Sequence, residues 1–176
     1  MQIEVKPGVL YFLKGEEDGR VHEIVARLRS AGYRLLVVSS REPGKVGDDL
    51  EIPAHCTLTL TESVGQYSVD PQNLMILTDT ITKFIEHGDQ PALLIEDLEL
   101  LKQKNEFLKV LRFVGFVYDS LVKNRGIGFI MIDPQSWDVR EMAYLGKEGS
   151  MVEEKDRLNL RSLDPHTSRI PPSQNV

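Results

Sequence analysis

The chain is poor in the features that mark several protein classes. It has one cysteine, Cys56, so no disulfide can close within it, and a reducing compartment suits it. No apolar run reaches the roughly 20 residues that a membrane-spanning helix needs. The N-terminal segment MQIEVKPGVLYFLKGEEDG places acids directly after a short apolar run, unlike a secretory signal. A cytoplasmic protein without membrane insertion is expected. Basic residues are also short: 21 Lys and Arg stand against 27 Asp and Glu, a formal net charge of −6. Nucleic-acid binding draws its affinity from cations set against phosphates, so no nucleic-acid partner is expected.

Catalytic and cofactor motifs are missing too. The turn after the first apolar run, Gly15-Glu16-Glu17-Asp18-Gly19, lacks the Gly-Lys-Ser/Thr of a phosphate loop. Its three carboxylates suit the positive end of a helix, and the same charges repel a triphosphate. There is no Gly-x-Ser-x-Gly, and His22, His55, His87 and His166 are scattered. No His or Cys spacing suits zinc. The expectation is a non-catalytic chain with no cofactor and no metal.

What is present is a run of strand and helix signals. With 41% hydrophobic and 27% charged residues, the 176-residue chain has the balance of one globular domain with a real core. Apolar runs at 8–13, 34–40, 92–98 and 127–133 read as strands, the last three buried on both faces. CTLTLTE, 56–62, alternates and reads as a strand near an edge. Helical periodicity marks 21–31, about 70–87 with Asp70-Pro71 at its start, about 105–124, and a segment after Asp133-Pro134. The stretch 42–55 reads as a loop punctuated by Pro43, Gly44, Gly47 and Pro53.

Strands alternating with helices imply an α/β fold in three layers, a mostly parallel sheet of about five strands with helices on both faces. The expected division is a single α/β domain over 1–147 and a flexible C-terminal tail over 148–176. An alternative for Met151 to Leu163 is an amphipathic helix that docks on a partner.

Ligands in open parallel sheets bind beyond the carboxyl ends of the strands. The ligand-binding candidates there are Arg41 after the second strand, Glu96 and Asp97 at the fourth, and Asp133 after the fifth. Arg41 can hold an anion or a partner carboxylate through two nitrogens. The number of nearby acids favours an internal pair instead. Glu96, Asp97 and Asp133 can hold Mg²⁺ through oxygen. The plainer alternative has Asp133 capping the helix after it and the other two hydrogen-bonding at a strand end.

The order of segments resembles the archaeal family called domain of unknown function 835, over about 8–148. The residues that carry the likeness are Gly8-Val9-Leu10-Tyr11-Phe12, Arg41-Glu42-Pro43 and Pro71-Gln72-Asn73-Leu74, then Leu94 to Leu101 followed by Asn105-Glu106-Phe107, then Asp133-Pro134. Glu96-Asp97 stands where the family has Asp-Gly. The resemblance implies a RecA/KaiC-like α/β domain without the phosphate loop, of the kind that accompanies signalling modules. It brings no catalytic residues. The expected function is a signalling or protein-interaction module whose partners are proteins, self-association included. The alternative is a Mg-dependent ligand sensor or enzyme that uses the acidic strand ends.

Overall fold

Four apolar runs form the centre of one sheet. The computed structural model describes residues 1–15 and 18–163. In chain order its elements are β1 (Gln2–Glu4), β2 (Val9–Lys14), α1 (Asp18–Ser30), β3 (Arg34–Ser39), α2 (Pro43–Leu50), β4 (Thr57–Leu60), β5 (Ser68–Val69), α3 (Leu74–Glu86), β6 (Pro91–Ile95), α4 (Leu98–Lys104), α5 (Phe107–Asn124), β7 (Ile127–Ile132), α6 (Val139–Leu145), β8 (Ser150–Val152) and β9 (Arg157–Asn159). The large sheet has seven strands in the order β5-β4-β3-β6-β7-β2-β8, parallel throughout, and β1 pairs β9 in a separate parallel ribbon.

Side-chain alternation sorts the central strands between two cores. Leu10, Phe12, Leu93, Ile95, Ile130 and Ile132 face α3, α4 and α5. Tyr11, Leu13, Ala92, Leu94 and Phe129 face α1 and α2. Both faces are therefore covered, which is why these strands are near-continuously apolar. Burying such runs at roughly 25 cal/mol per Å² is the main force that holds the layers together.

Several expectations need correction. The sheet has seven strands rather than about five. CTLTLTE does lie near an edge, one strand in from β5, but neither of its faces is wet: all four residues of β4 are buried. The stretch expected to be a loop contains α2, whose Val46 and Leu50 are buried four residues apart. α3 starts later than expected, since Asn73 caps it by accepting from the Ile76 amide at 3.1 Å. Asp70 instead holds a turn by accepting from the Gln72 amide. α6 follows a 3-10 turn at 134–136 and is set by a capping box between Asp138 and Glu141.

The segment expected as a tail from 148 contains β8 and β9. β8 pairs β2 at Tyr11–Leu13, and Val152, Leu160 and Leu163 are buried in the core beneath α1. No α-helix forms over 151–163, which ends in a 3-10 turn at Arg161–Leu163. Residues 164–176 of the expected tail lie outside the described residues. No helix among the described residues is long and apolar enough to cross a membrane.

Candidate functional site

The chain runs from β3 outward through α2 on one face, and from β6 through α4 and α5 on the other. Between these two strands the winding reverses, and parallel sheets open a crevice there. Val38 pairs with Ile95, and the Glu96 amide donates to the Val38 carbonyl at 2.9 Å. That register sets the residues after β3 against those after β6.

Arg41 fills the crevice mouth. Its Nε donates to Glu96 Oε2 at 3.0 Å and its Nη2 to Oε1 at 2.7 Å, while Nη1 donates to Asp49 Oδ2 at 2.9 Å. Ser39 Oγ donates to the same Glu96 Oε2 at 2.7 Å and accepts from the Arg41 amide at 3.1 Å. Ser40 hydrogen-bonds Asp97. His22 of α1 reaches the other oxygen of Asp49 at 3.0 Å. Desolvation works against the Arg41 cation, but its hydrogen bonds to Glu96 and then Asp49 outweigh it and hold the guanidinium above its usual range. Hydrogen bonds from Arg41 and then His22 hold Asp49 below the usual carboxylate range. Beside this network lies an open cavity of about 370 Å³ lined by Val21, His22, Arg41, Asp49, Leu50, Glu96, Asp97 and Met131.

The structure thus brings Arg41, Glu96 and Asp97 together and leaves Asp133 apart. Asp133 accepts from the Gln135 amide at 3.0 Å and from Ser136 Oγ at 2.9 Å, closing its own turn. Its amide donates to Glu99, which also accepts from Trp137 Nε1. Among the described residues no group of three His, Cys, Asp or Glu side chains could hold a metal ion. Asp49 and His22 belong to the network but not to the candidates. Asp49 sits on α2, whose single amphipathic turn is a faint signal, and His22 stands alone on α1.

The turn after β2 is covered from above. Gly15 has φ +96°, a left-handed geometry that suits glycine, and its amide donates to the Ile132 carbonyl at 3.2 Å. The Glu154 side chain occupies the space a Cβ on Gly15 would need. Lys14 Nζ pairs with Glu153 at 2.7 Å, and Arg20 donates to the Glu154 carbonyl at 2.5 Å and the Asp156 carbonyl at 3.4 Å. Glu16 and Glu17, expected at the chemical end of this turn, lie outside the described residues. Away from the crevice, large apolar side chains are exposed on α3 (Met75, Ile76) and on α5 (Leu108, Phe116, Val122).

A family model described as Protein of unknown function (DUF835) matches residues 14–148. The chain belongs to the DUF835 family. The match takes in the crevice residues of this DUF835 chain and stops before β8 and β9. Nothing among curated proteins matches it. A solved structure from Pyrococcus horikoshii OT3, described as a structural study of Project ID PH0250, is similar to it. The TM-score is 0.55 at 9% identity, over 84% of this chain and 82% of that one. At that identity the likeness speaks for the α/β fold alone.

Proposed function

We propose that this DUF835 chain is a non-catalytic protein-interaction module of cytoplasmic signalling, built on a RecA-like sheet that has lost its phosphate loop. One observation carries the reading. At two places at the carboxyl end where a ligand would sit, the cations are engaged by the chain's own groups: Arg41 is spent on Glu96 and Asp49, and residues 153–156 meet Gly15, Lys14 and Arg20. Exposed apolar side chains, by contrast, stand on the outer helices α3 and α5, where a protein partner would meet them. The parallel sheet, a first turn without the phosphate-binding residues and an acidic end on β6 support the RecA-like reading. The acidic net charge supports proteins rather than nucleic acid as partners.

Thermal unfolding with and without Mg²⁺ and a nucleotide panel tests this. A ligand at about 100 times its dissociation constant stabilises by roughly 2.7 kcal/mol. In a domain of this size that moves Tm by roughly 5–10 °C. The expected result is no shift; a shift of that size overturns the reading.

The open cavity beside Arg41 favours a second reading, a Mg-dependent ligand sensor or enzyme that uses Arg41, Glu96 and Asp97, without Asp133. Under it, Asp97→Asn abolishes a Mg²⁺-dependent shift while leaving Tm without ligand unchanged.

A further inference from the structure

Helix α5 carries an outward seam that no described residue covers. Leu108, Arg112, Gly115, Asp119 and Val122 recur at spacings of four, three, four and three residues, which puts them on one stripe. Leu108 is 66% exposed and Val122 44%. Phe116, beside the stripe, is 52% exposed. The side chains of Arg112 and Asp119 make no hydrogen bond or ion pair among the described residues.

The seam is self-complementary when read backwards. Laid antiparallel about Gly115, Leu108 meets Val122 of the second copy, and Arg112 comes within one residue's rise, about 1.5 Å along the axis, of its Asp119. A two-fold axis repeats each pair. Opposite charges meet at two points and apolar side chains at both ends, with the ends about 21 Å apart along the helix at 1.5 Å per residue.

Gly115 is the independent observation. A glycine in mid-helix is destabilising relative to alanine. Among the described residues nothing requires it, because an added Cβ would meet only the Glu148 carboxylate, at 3.7 Å, an ordinary contact. A bare backbone at the centre of the seam suits a second helix that approaches closely there.

We infer that α5 pairs with α5 of a second copy of this chain, antiparallel about Gly115, with Arg112 against Asp119 on both sides. The inference rests on the protein-interaction reading and names its partner.

Sedimentation velocity of the full chain from about 1 to about 500 μM covers the range in which weak homodimers dissociate. A reversible dimer is expected. Arg112→Asp or Asp119→Arg alone sets like charges opposite each other twice and weakens the dimer by roughly tenfold or more. The double variant Arg112→Asp/Asp119→Arg restores it. At protein concentrations where the wild type is monomeric, all three keep the wild-type circular dichroism and Tm, since neither side chain has a partner among the described residues. A chain that stays monomeric throughout overturns the self-pairing, as does a dimer indifferent to these reversals. Neither outcome touches the interaction reading, which falls only to a nucleotide-dependent shift.

Discussion

Arg41 grips Glu96 through two nitrogens, at 3.0 and 2.7 Å, across the ends of β3 and β6. The Glu96 side chain is only 14% exposed, so its charge depends on this partner and on Ser39. Removing one member of such a pair costs more than replacing both, because a half-buried charge is left behind. Arg41→Met is therefore expected to lower stability by about 2 kcal/mol, and Arg41→Met with Glu96→Leu by less. Chemical denaturation of the two singles and the double measures the difference. Equal, additive losses would show that the pair is no more than a surface contact.

Acid should weaken the fold through two aspartates. The Glu153 amide holds Asp156 below the usual carboxylate range, and Arg41 and His22 do the same for Asp49. A carboxylate whose pKa is depressed on folding contributes stability that is complete above its unfolded value, about 3.9. That contribution is lost as pH falls through the folded value, which lies lower. Both contributions hold at neutral pH and fade below about pH 4. The Tm gap between the wild type and Asp156→Asn should therefore narrow steadily on titration from about pH 5 to about pH 2. A gap that stays constant over that window would mean Asp156 is not linked to folding.

Glu99 joins two elements at once. One of its oxygens, Oε1, accepts from the Asp133 amide at 2.6 Å and from Trp137 Nε1 at 3.0 Å. Trp137 is buried against Phe107, with Lys102 over its ring. Glu99→Ala leaves both donors unpaired, at about 1–3 kcal/mol, and Glu99→Gln keeps an acceptor and loses less. Tryptophan fluorescence reports on the site directly, since Trp137 is the chain's single tryptophan. An unshifted emission maximum in Glu99→Ala would count against this role.

How much could be read from the sequence follows from signal length. β2, β3, β6 and β7 each carry five or six residues, mostly buried, and their apolar runs were legible as strands. The helices 18–30, 74–86 and 107–124 span three turns or more and show clear stripes. What escaped is short: β1, β8 and β9 have three residues and β5 two, too few for alternation to register. In α2 the proline at its first turn reads as loop punctuation, although proline is tolerated there. The crevice was half legible for the same reason. Arg41, Glu96 and Asp97 follow strong strands, whereas Asp49 rides on that faint helix, and Asp133 turned to its local cap.

The weakest part of the sequence signal gives the sharpest test of the fold. Gly149 precedes β8, and a Cβ there would stand 2.5 Å from the Leu10 carbonyl oxygen and 2.9 Å from the Phe12 ring. The oxygen is backbone in the second strand of the sheet and cannot swing away as a side-chain tip can. Gly149→Ala must push β8 off β2 or strain both, at about 2–3 kcal/mol, or roughly 5–10 °C in Tm. Gly44→Ala is the matching control. It is helical, exposed and has nothing within 4 Å of an added Cβ, so it should raise stability by about 0.5–1 kcal/mol. Ending the chain at Lys147 goes further than Gly149→Ala, because it removes Val152, Leu160 and Leu163 from the core beneath α1. The order expected by thermal denaturation is Gly44→Ala above wild type, then Gly149→Ala, then the truncated chain. A truncated chain as stable as the wild type would return residues 148–163 to the status of a tail and remove β8 from the edge of the sheet.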